Sequence, residues 1–234
     1  MYVMTIDQRG SSTDVDRVPE LISQLRGRTS AAFERSVGDE LQGVLERADD
    51  VVDIALHALR SGHWYVGVGI GAVQLAVAAS PREGAGSGFV AARKAVEHAK
   101  SAAGQVPLSV VSGSIGRGME VPQHAREGAG TCANAEAVLR LIGRLVQERT
   151  DAQWKVVDRL RNVQGGGGKH GSQKQVAKEL GITEQSVSRA VLRSGWQEEW
   201  AARPAAAMLL EFAHAQILTP RNIAVPGTPN EGDR

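Results

Sequence analysis

Two hydrophobic patterns alternate along the first half of the chain. Short apolar runs predict buried strands at MYVMTID (1–7), WYVGVGIGAVQLAV (64–77) and PLSVVSGS (107–114). Apolar residues at helical spacing predict helices at VDRVPELISQLRG (15–27), DDVVDIALHALRSG (49–62) and FVAARKAVEHAKSA (89–102). Strands that alternate with helices in this way are typical of a sheet covered by helices.

A hairpin completes this half. The segments TSAAFERSV (29–37) and ELQGVLE (40–46) flank Gly38 and Asp39, and a Gly-Asp pair between two such runs predicts a β-hairpin. The order strand, helix, hairpin, helix, strand, helix, strand therefore predicts an α/β sandwich of the α+β class. The glycines of the 64–77 run indicate that another backbone approaches that strand closely.

From Ala133 onward the pattern is helical. The apolar stripe of NAEAVLRLIGRLVQER (134–149) predicts a long helix, and shorter helices follow it. We divide the chain into an α/β domain (1–131), a connecting helix (132–148), an all-α domain (149–216) and a flexible tail (217–234). The glycine-rich stretch 116–131 is also expected to be mobile.

Composition narrows the classes of function. The 234 residues suffice for two modest domains. Lys and Arg number 27 and Asp and Glu 26, so a nucleic-acid role requires a local basic patch. The single cysteine, Cys132, excludes an internal disulfide and is expected to be inert. No signal peptide or long apolar span is evident, so we expect a cytoplasmic protein that does not enter a membrane.

The segment QKQVAKELGITEQSVSRAVL (173–192) has the pattern of a helix-turn-helix. Val176, Ile182 and Val187 fall where two crossing helices pack, and Gly181 supplies the left-handed turn residue. Short polar and basic groups on the second helix suit the DNA major groove. The expected DNA-binding residues are Lys174, Lys178, Thr183, Glu184, Gln185, Ser186, Ser188, Arg189 and Arg193. The alternative is a helical hairpin with solvated charges.

A phosphate-binding loop is a second possibility at GGGGKHGS (165–172). The spacing requires a glycine where Val163 stands, and His170 follows the lysine in place of Ser or Thr. A flexible turn is the better interpretation, with Lys169 near a DNA phosphate. Trp154, Trp196 and Trp200 near this region are expected to be core or interface anchors.

Carboxylates mark a candidate ligand site in the first half. Asp7 ends the first predicted strand and precedes a Gly-Ser-Ser-Thr loop (10–13), whose backbone N–H groups could bind a phosphate. Asp39 and Glu40 lie at the hairpin tip. If the hairpin pairs beside the first strand, Asp7 and Asp39 meet, and two carboxylates with phosphate oxygens suit Mg²⁺. The alternative is an ordinary polar turn.

These motifs have a family resemblance. Asp7 with its loop, VGDEL (37–41), VGVGIG (66–71) and GFVAAR (88–93) occur in the order of the motifs of class III nucleotidyl cyclases and, more distantly, diguanylate (GGDEF-type) cyclases. A cyclase-like domain followed by a helix-turn-helix resembles the SatD family of bacterial proteins. In the cyclases the two Asp residues hold metal ions under a triphosphate, and a helix Arg matches Arg93. Phe89 stands where cyclases carry an Asn, which implies slow turnover or none.

The resemblance implies a ferredoxin-like, nucleotidyl-cyclase-like α/β sandwich followed by an all-α (winged) helix-turn-helix domain. We expect a transcriptional regulator that binds a palindromic operator as a homodimer and senses a purine nucleotide or cyclic dinucleotide with Mg²⁺. The alternatives are an active cyclase or nucleotidyl transferase and a ligand-free dimerisation scaffold. The candidate ligand-binding residues are Asp7, Gly10, Ser11, Ser12, Asp39, Glu40 and Arg93, of which Asp7 and Asp39 would hold the metal.

Overall fold

The structure is a computed structural model that describes residues 1–75, 80–102, 105–113, 123–165 and 172–218. The strands are β1 (Tyr2–Gln8), β2 (Phe33–Arg35), β3 (Glu40–Leu45), β4 (Trp64–Ile70) and β5 (Leu108–Ser112). The helices are α1 (Val18–Arg26), α2 (Ala48–Arg60), α3 (Ser87–Ser101), α4 (Gln123–Gln147), α5 (Asp151–Gly165), α6 (Ser172–Leu180), α7 (Glu184–Arg193) and α8 (Trp196–Leu218). The predicted turn at Lys169 and most of the predicted tail lie outside the described residues.

The five strands form one mixed sheet in the order β2-β3-β1-β4-β5. β1 pairs antiparallel with both β3 and β4, and β2 pairs antiparallel with β3. β4 and β5 are parallel, so they require a crossover connection, which α3 supplies. The predicted α+β class is confirmed, and the hairpin turns at Gly38, whose φ is +58°.

Helices cover both faces of the sheet. Because side chains alternate along a strand, Met4 and Ile6 of β1 enter the main core with α1 and α2, whereas Val3 faces α3. The main core continues without a break into α4, α5, α6, α7 and α8. The two halves of the chain therefore share one hydrophobic core.

Two glycines of β4 let α3 lie directly on the sheet. A Cβ at Gly67 would come within 2.4 Å of the Val96 backbone nitrogen, and a Cβ at Gly69 within 2.3 Å of the Ala92 nitrogen. Real Cβ atoms do not approach so closely, so only glycine fits. This contact is the close backbone approach that the sequence indicated.

Replacing Gly67 with alanine should lower the free energy of unfolding by at least about 1–3 kcal/mol, because α3 must move away from β4. Gly130→Ala is the matched control. Gly130 lies within α4 with open space around it, so alanine there should stabilise the protein by about 0.4–1 kcal/mol. Urea unfolding of both variants tests the contact, and equal stabilities would contradict it.

α4 begins earlier than the sequence indicated. Residues 123–131, which we expected to be mobile, form its first turns. Gly128 gives the reason, since a Cβ there would meet Ile217 Cγ1 at 2.6 Å. The glycine that weakens helix propensity also lets α8 pack closely on α4, and that packing outweighs propensity.

A charged network joins the second half of the chain to α2. The fully buried Glu199 of α8 accepts hydrogen bonds from Arg161 at 3.1 Å and from Arg203 at 2.7 Å. Its Oε2 lies 2.7 Å from Nη1 of the buried Arg149, although this contact is not aligned as a hydrogen bond. Arg203 also donates to Asp53 of α2 at 2.9 Å.

A second ion pair makes the same connection. Both terminal nitrogens of Arg60 in α2 donate to the Asp158 carboxylate of α5, at 2.8 and 2.7 Å. The Arg60 guanidinium also stacks 3.8 Å above the Trp154 ring, which is a favourable cation–π position. The sheet half and the helical half are thus joined by directional contacts as well as by the common core.

Helices α5, α6 and α7 pack on one another as a three-helix unit. A turn of three residues joins α6 to α7, with Gly181 at φ +65°, and a turn of two residues joins α7 to α8. Between Ser172 and Leu218 no strand follows α7, so the wing that we expected is absent from this segment. The chain enters α8 at Trp196 instead, and α8 packs against α4 and α2.

Candidate functional site

Two carboxylates lie side by side at one end of the sheet. Asp7 of β1 stands directly opposite Glu40 of β3, and residues opposite each other in an antiparallel pair share one face. The Gln8 N–H donates to the Asp39 carbonyl at 3.3 Å, which attaches the hairpin tip to the end of β1. Arg35 also donates to the Gly38 carbonyl at 2.7 Å. Asp7, Asp39 and Glu40 therefore converge.

Cations of α3 face these acids. Lys100 Nζ lies 2.9 Å from Asp7 Oδ2 and 3.0 Å from Glu97 Oε1. Arg93 lies on one helical face with Glu97 and Lys100, and its positive charge acts electrostatically on the Glu40 carboxylate. Lys100 and Glu97 were not predicted as site residues. Glu97 follows Arg93 by four residues and Lys100 by seven, and this spacing could have revealed them because it places all three on one side of α3.

Burial and neighbouring charges shift the pKa values of two of these acids. Burial raises the pKa of Asp7 and that of Glu40, and the negative charge of Asp39 raises the pKa of Asp7 further. Lys100 and Arg93 act in the opposite direction but do not reverse these shifts. Like charges directly across a strand pair destabilise the fold, so the carboxylates carry a cost that additional positive charge would relieve.

The loop after β1 makes other contacts. Gly10 has φ +67°, and its carbonyl accepts hydrogen bonds from the N–H groups of Thr13 and Asp14, both at 3.0 Å. The Arg9 N–H donates to the His63 carbonyl at the start of β4. Ser11 and Ser12 are exposed, and α1 begins only at Val18. The loop is a compact turn next to β4, and residues 14–17 separate it from α1.

Two further observations concern ligands and catalysis. Within the described residues, no group of three or more His, Cys, Asp or Glu side chains is arranged to hold a metal ion. Phe89, at the position of the cyclase Asn, lies over Gly84, where a Cβ would meet the ring at 2.0 Å. The ring thus packs on the segment before α3.

The three-helix unit presents a second candidate site. All nine residues expected to contact DNA are exposed: Lys174, Lys178, Thr183, Glu184, Gln185, Ser186, Ser188, Arg189 and Arg193. Helices α6 and α7 together carry four cations against two glutamates. Lys174, Lys178 and Glu184 line a shallow groove between the two helices. In these two helices the cations therefore outnumber the acidic side chains by two.

Packing within this unit follows the predicted pattern with one exception. Val176 and Val187 are fully buried, and the Thr183 hydroxyl caps α7 by accepting the Ser186 N–H at 3.1 Å. Ile182 was expected to pack but is 40% exposed, and its N–H closes the turn on the Ala177 carbonyl at 3.0 Å. Residue 182 contributes a backbone hydrogen bond to the turn. Val191 of α7, which was not among the predicted packing residues, is buried instead.

A cleft of about 800 Å³ lies away from both sites, between α1, α2 and α5. It is lined by residues of both signs, including Arg17, Glu20 and Lys155. Two of its charged members, Arg60 and Asp158, form the paired hydrogen bonds described above.

Comparison with known proteins finds no matching family model, no matching curated protein and no matching solved structure. Across the described ranges, none of the helices combines the length and apolar character that crossing a membrane requires. The assignment of function consequently rests on the two sites themselves.

Proposed function

We propose that this protein is a DNA-binding transcriptional regulator of the helix-turn-helix class. The observation that carries the proposal is the α6–turn–α7 unit, in which buried Val176 and Val187 lie beneath an exposed face of short polar and basic side chains. A helical hairpin with solvated charges would be stabilised by pairs of opposite charge, and this face carries few such pairs. Arginine and glutamine side chains of this kind form paired hydrogen bonds with guanine and adenine in the major groove.

The α/β half is proposed to bind a purine nucleotide or a cyclic dinucleotide with Mg²⁺. Support comes from the convergence of Asp7, Asp39 and Glu40 under Arg93 and Lys100. Carboxylates suit Mg²⁺, while Arg and Lys suit phosphate oxygens. Lys100 pairs with Asp7, so an ion held by Asp7 would compete with this ammonium, which could then contact a phosphate oxygen.

The connectivity of the sheet also favours this proposal. The first four strands run in the order β2-β3-β1-β4 with α1 and α2 between them, and this order supports the proposed ferredoxin-like description. The cyclases that the sequence resembles have a fold of this type, and the carboxylates lie at the corresponding strand end and hairpin. We therefore keep the nucleotidyl-cyclase-like description for this half.

Slow or absent turnover accompanies the proposed binding. Phe89 packs on Gly84 and offers no polar group where cyclases use an amide in the transition state. Losing one such electrostatic contact costs about a hundredfold or more in rate. An active cyclase or transferase is the second candidate, and product formation from labelled GTP or ATP with Mg²⁺ or Mn²⁺ would identify it.

Asp39→Asn should leave the melting temperature of the free protein nearly unchanged, because a half-exposed turn carboxylate contributes little to stability. The same change should abolish the rise in melting temperature that GTP, ATP or a cyclic dinucleotide causes with Mg²⁺, since it removes a metal ligand. Differential scanning fluorimetry measures both quantities.

Asp49→Asn provides the control for this test, since Asp49 is an exposed carboxylate on α2 remote from the cluster. It should keep the full nucleotide shift. A full shift in Asp39→Asn, or no shift with any nucleotide in the wild type, would reduce the acids to a polar hairpin tip. If no nucleotide shifts the wild type, the α/β half would instead be a dimerisation scaffold without a ligand.

A further inference from the structure

Apolar residues of α8 occur around its whole circumference, although only part of that circumference is covered. One side, with Ala206, Leu210 and Ala213, is buried against α4 and α2. The other side exposes Trp200, Met208 and Phe212, whose exposed fractions are 52%, 61% and 56%. A helix that is hydrophobic on every side is normally buried on every side.

The exposed residues form one continuous stripe. Helical spacing aligns them with the smaller exposed residues of α8, and we call the set the α8 stripe: Trp200, Ala201, Pro204, Ala205, Met208, Glu211, Phe212, Ala215 and Leu218. Glu211 is its only charged member. Contiguous exposed apolar patches on soluble proteins mark interaction sites.

We propose that the α8 stripe is a two-fold interface with a second copy of this chain. A two-fold interface places the same surface of both copies together. In an antiparallel pair of α8 helices centred at the height of Ala206, Trp200 of one copy lies at the same height along the helix axis as Phe212 of the other, and Pro204 at the same height as Met208.

The area of the stripe suits this occupant. A buried aromatic side chain covers about 150–250 Å², so the exposed halves of Trp200 and Phe212 contribute roughly 100 Å² each. With Met208, Leu218 and the small residues, the stripe presents on the order of 500 Å² per copy, or about 1,000 Å² for the pair. That total is at the lower end of specific interfaces, and the central aromatics are typical anchors.

The inference rests on the proposed function in one respect, because a palindromic operator requires two recognition helices held by one dimer. Helix α8 follows α7 after a two-residue turn, so an α8 pair would fix the spacing of the two α7 helices. The oligomeric state can be measured without DNA, so a failure of the proposed interface can be distinguished from a failure of the proposed DNA-binding function.

Sedimentation velocity of the full chain tests the interface. We expect a dimer, and the double variant Trp200→Glu/Phe212→Glu should raise the dimer dissociation constant by at least about a hundredfold. Val90→Glu is the matched control, because Val90 of α3 is 71% exposed and lies outside the stripe. It should remain dimeric. A wild type that is monomeric at micromolar concentrations would overturn the proposal.

Cross-linking keeps the test valid if the double variant does not fold. Ala205→Cys should join two copies through a short bismaleimide, because residue 205 lies next to the two-fold centre, and Val90→Cys should not. The native Cys132 does not interfere, since burial raises the pKa of its thiol to about 12. No cross-link at 205, or a wild-type monomer that dimerises only after truncation at Leu218, would assign the stripe to another occupant and overturn the proposal.

Discussion

Replacing Glu199 with alanine should lower the free energy of unfolding by about 3–5 kcal/mol, because it leaves the buried guanidinium of Arg149 without a counter-charge. Arg161 and Arg203 lose the same partner, and the connection from α8 to Asp53 weakens. Urea unfolding followed by circular dichroism gives the difference directly.

The adjacent residue supplies the control. Glu198 is exposed, and Glu198→Ala should change stability by no more than about 0.5 kcal/mol. If Glu199→Ala also lowers the free energy of unfolding by less than about 1 kcal/mol, the network is solvated rather than buried. That result would contradict the burial of Glu199 and, with it, the rigid link between the two halves of the chain.

Arg189→Ala and Gln185→Ala should each weaken specific operator binding by roughly 1–3 kcal/mol and relax sequence preference at one base pair. Lys174→Ala should instead weaken binding to all sequences alike and reduce the salt dependence, because a phosphate contact carries no sequence information. Fluorescence anisotropy on a selected operator, measured at several salt concentrations, separates the two kinds of contact.

Arg126→Ala serves as the control for charge alone, since Arg126 is an exposed cation on α4 rather than on α6 or α7. It should bind the operator like the wild type. Wild-type affinity in Arg189→Ala, Gln185→Ala and Lys174→Ala together would show that α7 does not enter the groove. The helix pair would then be a hairpin with solvated charges.

The local sequence pattern was sufficient to predict features that depend on residues close together in the sequence. The order of strands and helices, the hairpin at Gly38 and the cap at Thr183 each depend on residues within one or two turns of each other. The glycines of β4 were also informative, because a glycine within a buried strand indicates close backbone approach wherever the partner lies. The pairing of β1 with β3, which places Asp7 opposite Glu40 rather than Asp39, joins strands that are separated by α1 and β2, and local signals left it open.

Sequence reasoning failed where distant segments meet. The start of α4 depends on Gly128 packing against Ile217, and the exposure of Ile182 depends on the shape of one turn. Lys100 reaches Asp7 only because α3 crosses the sheet at a particular height. A periodicity shows which residues share a helical face but does not identify what that face contacts.

The sequence by itself determined the α+β class, the hairpin at Gly38 and the helical pattern of the α6–α7 unit, because each arises from short-range periodicity and turn chemistry. Only the tertiary structure decided that Glu199 gathers three arginines, that one core joins both halves, and that α8 leaves Trp200 and Phe212 uncovered. The reason is physical: an apolar or charged side chain has the same local signature whether it is buried, paired or exposed, and only its long-range neighbours distinguish these outcomes.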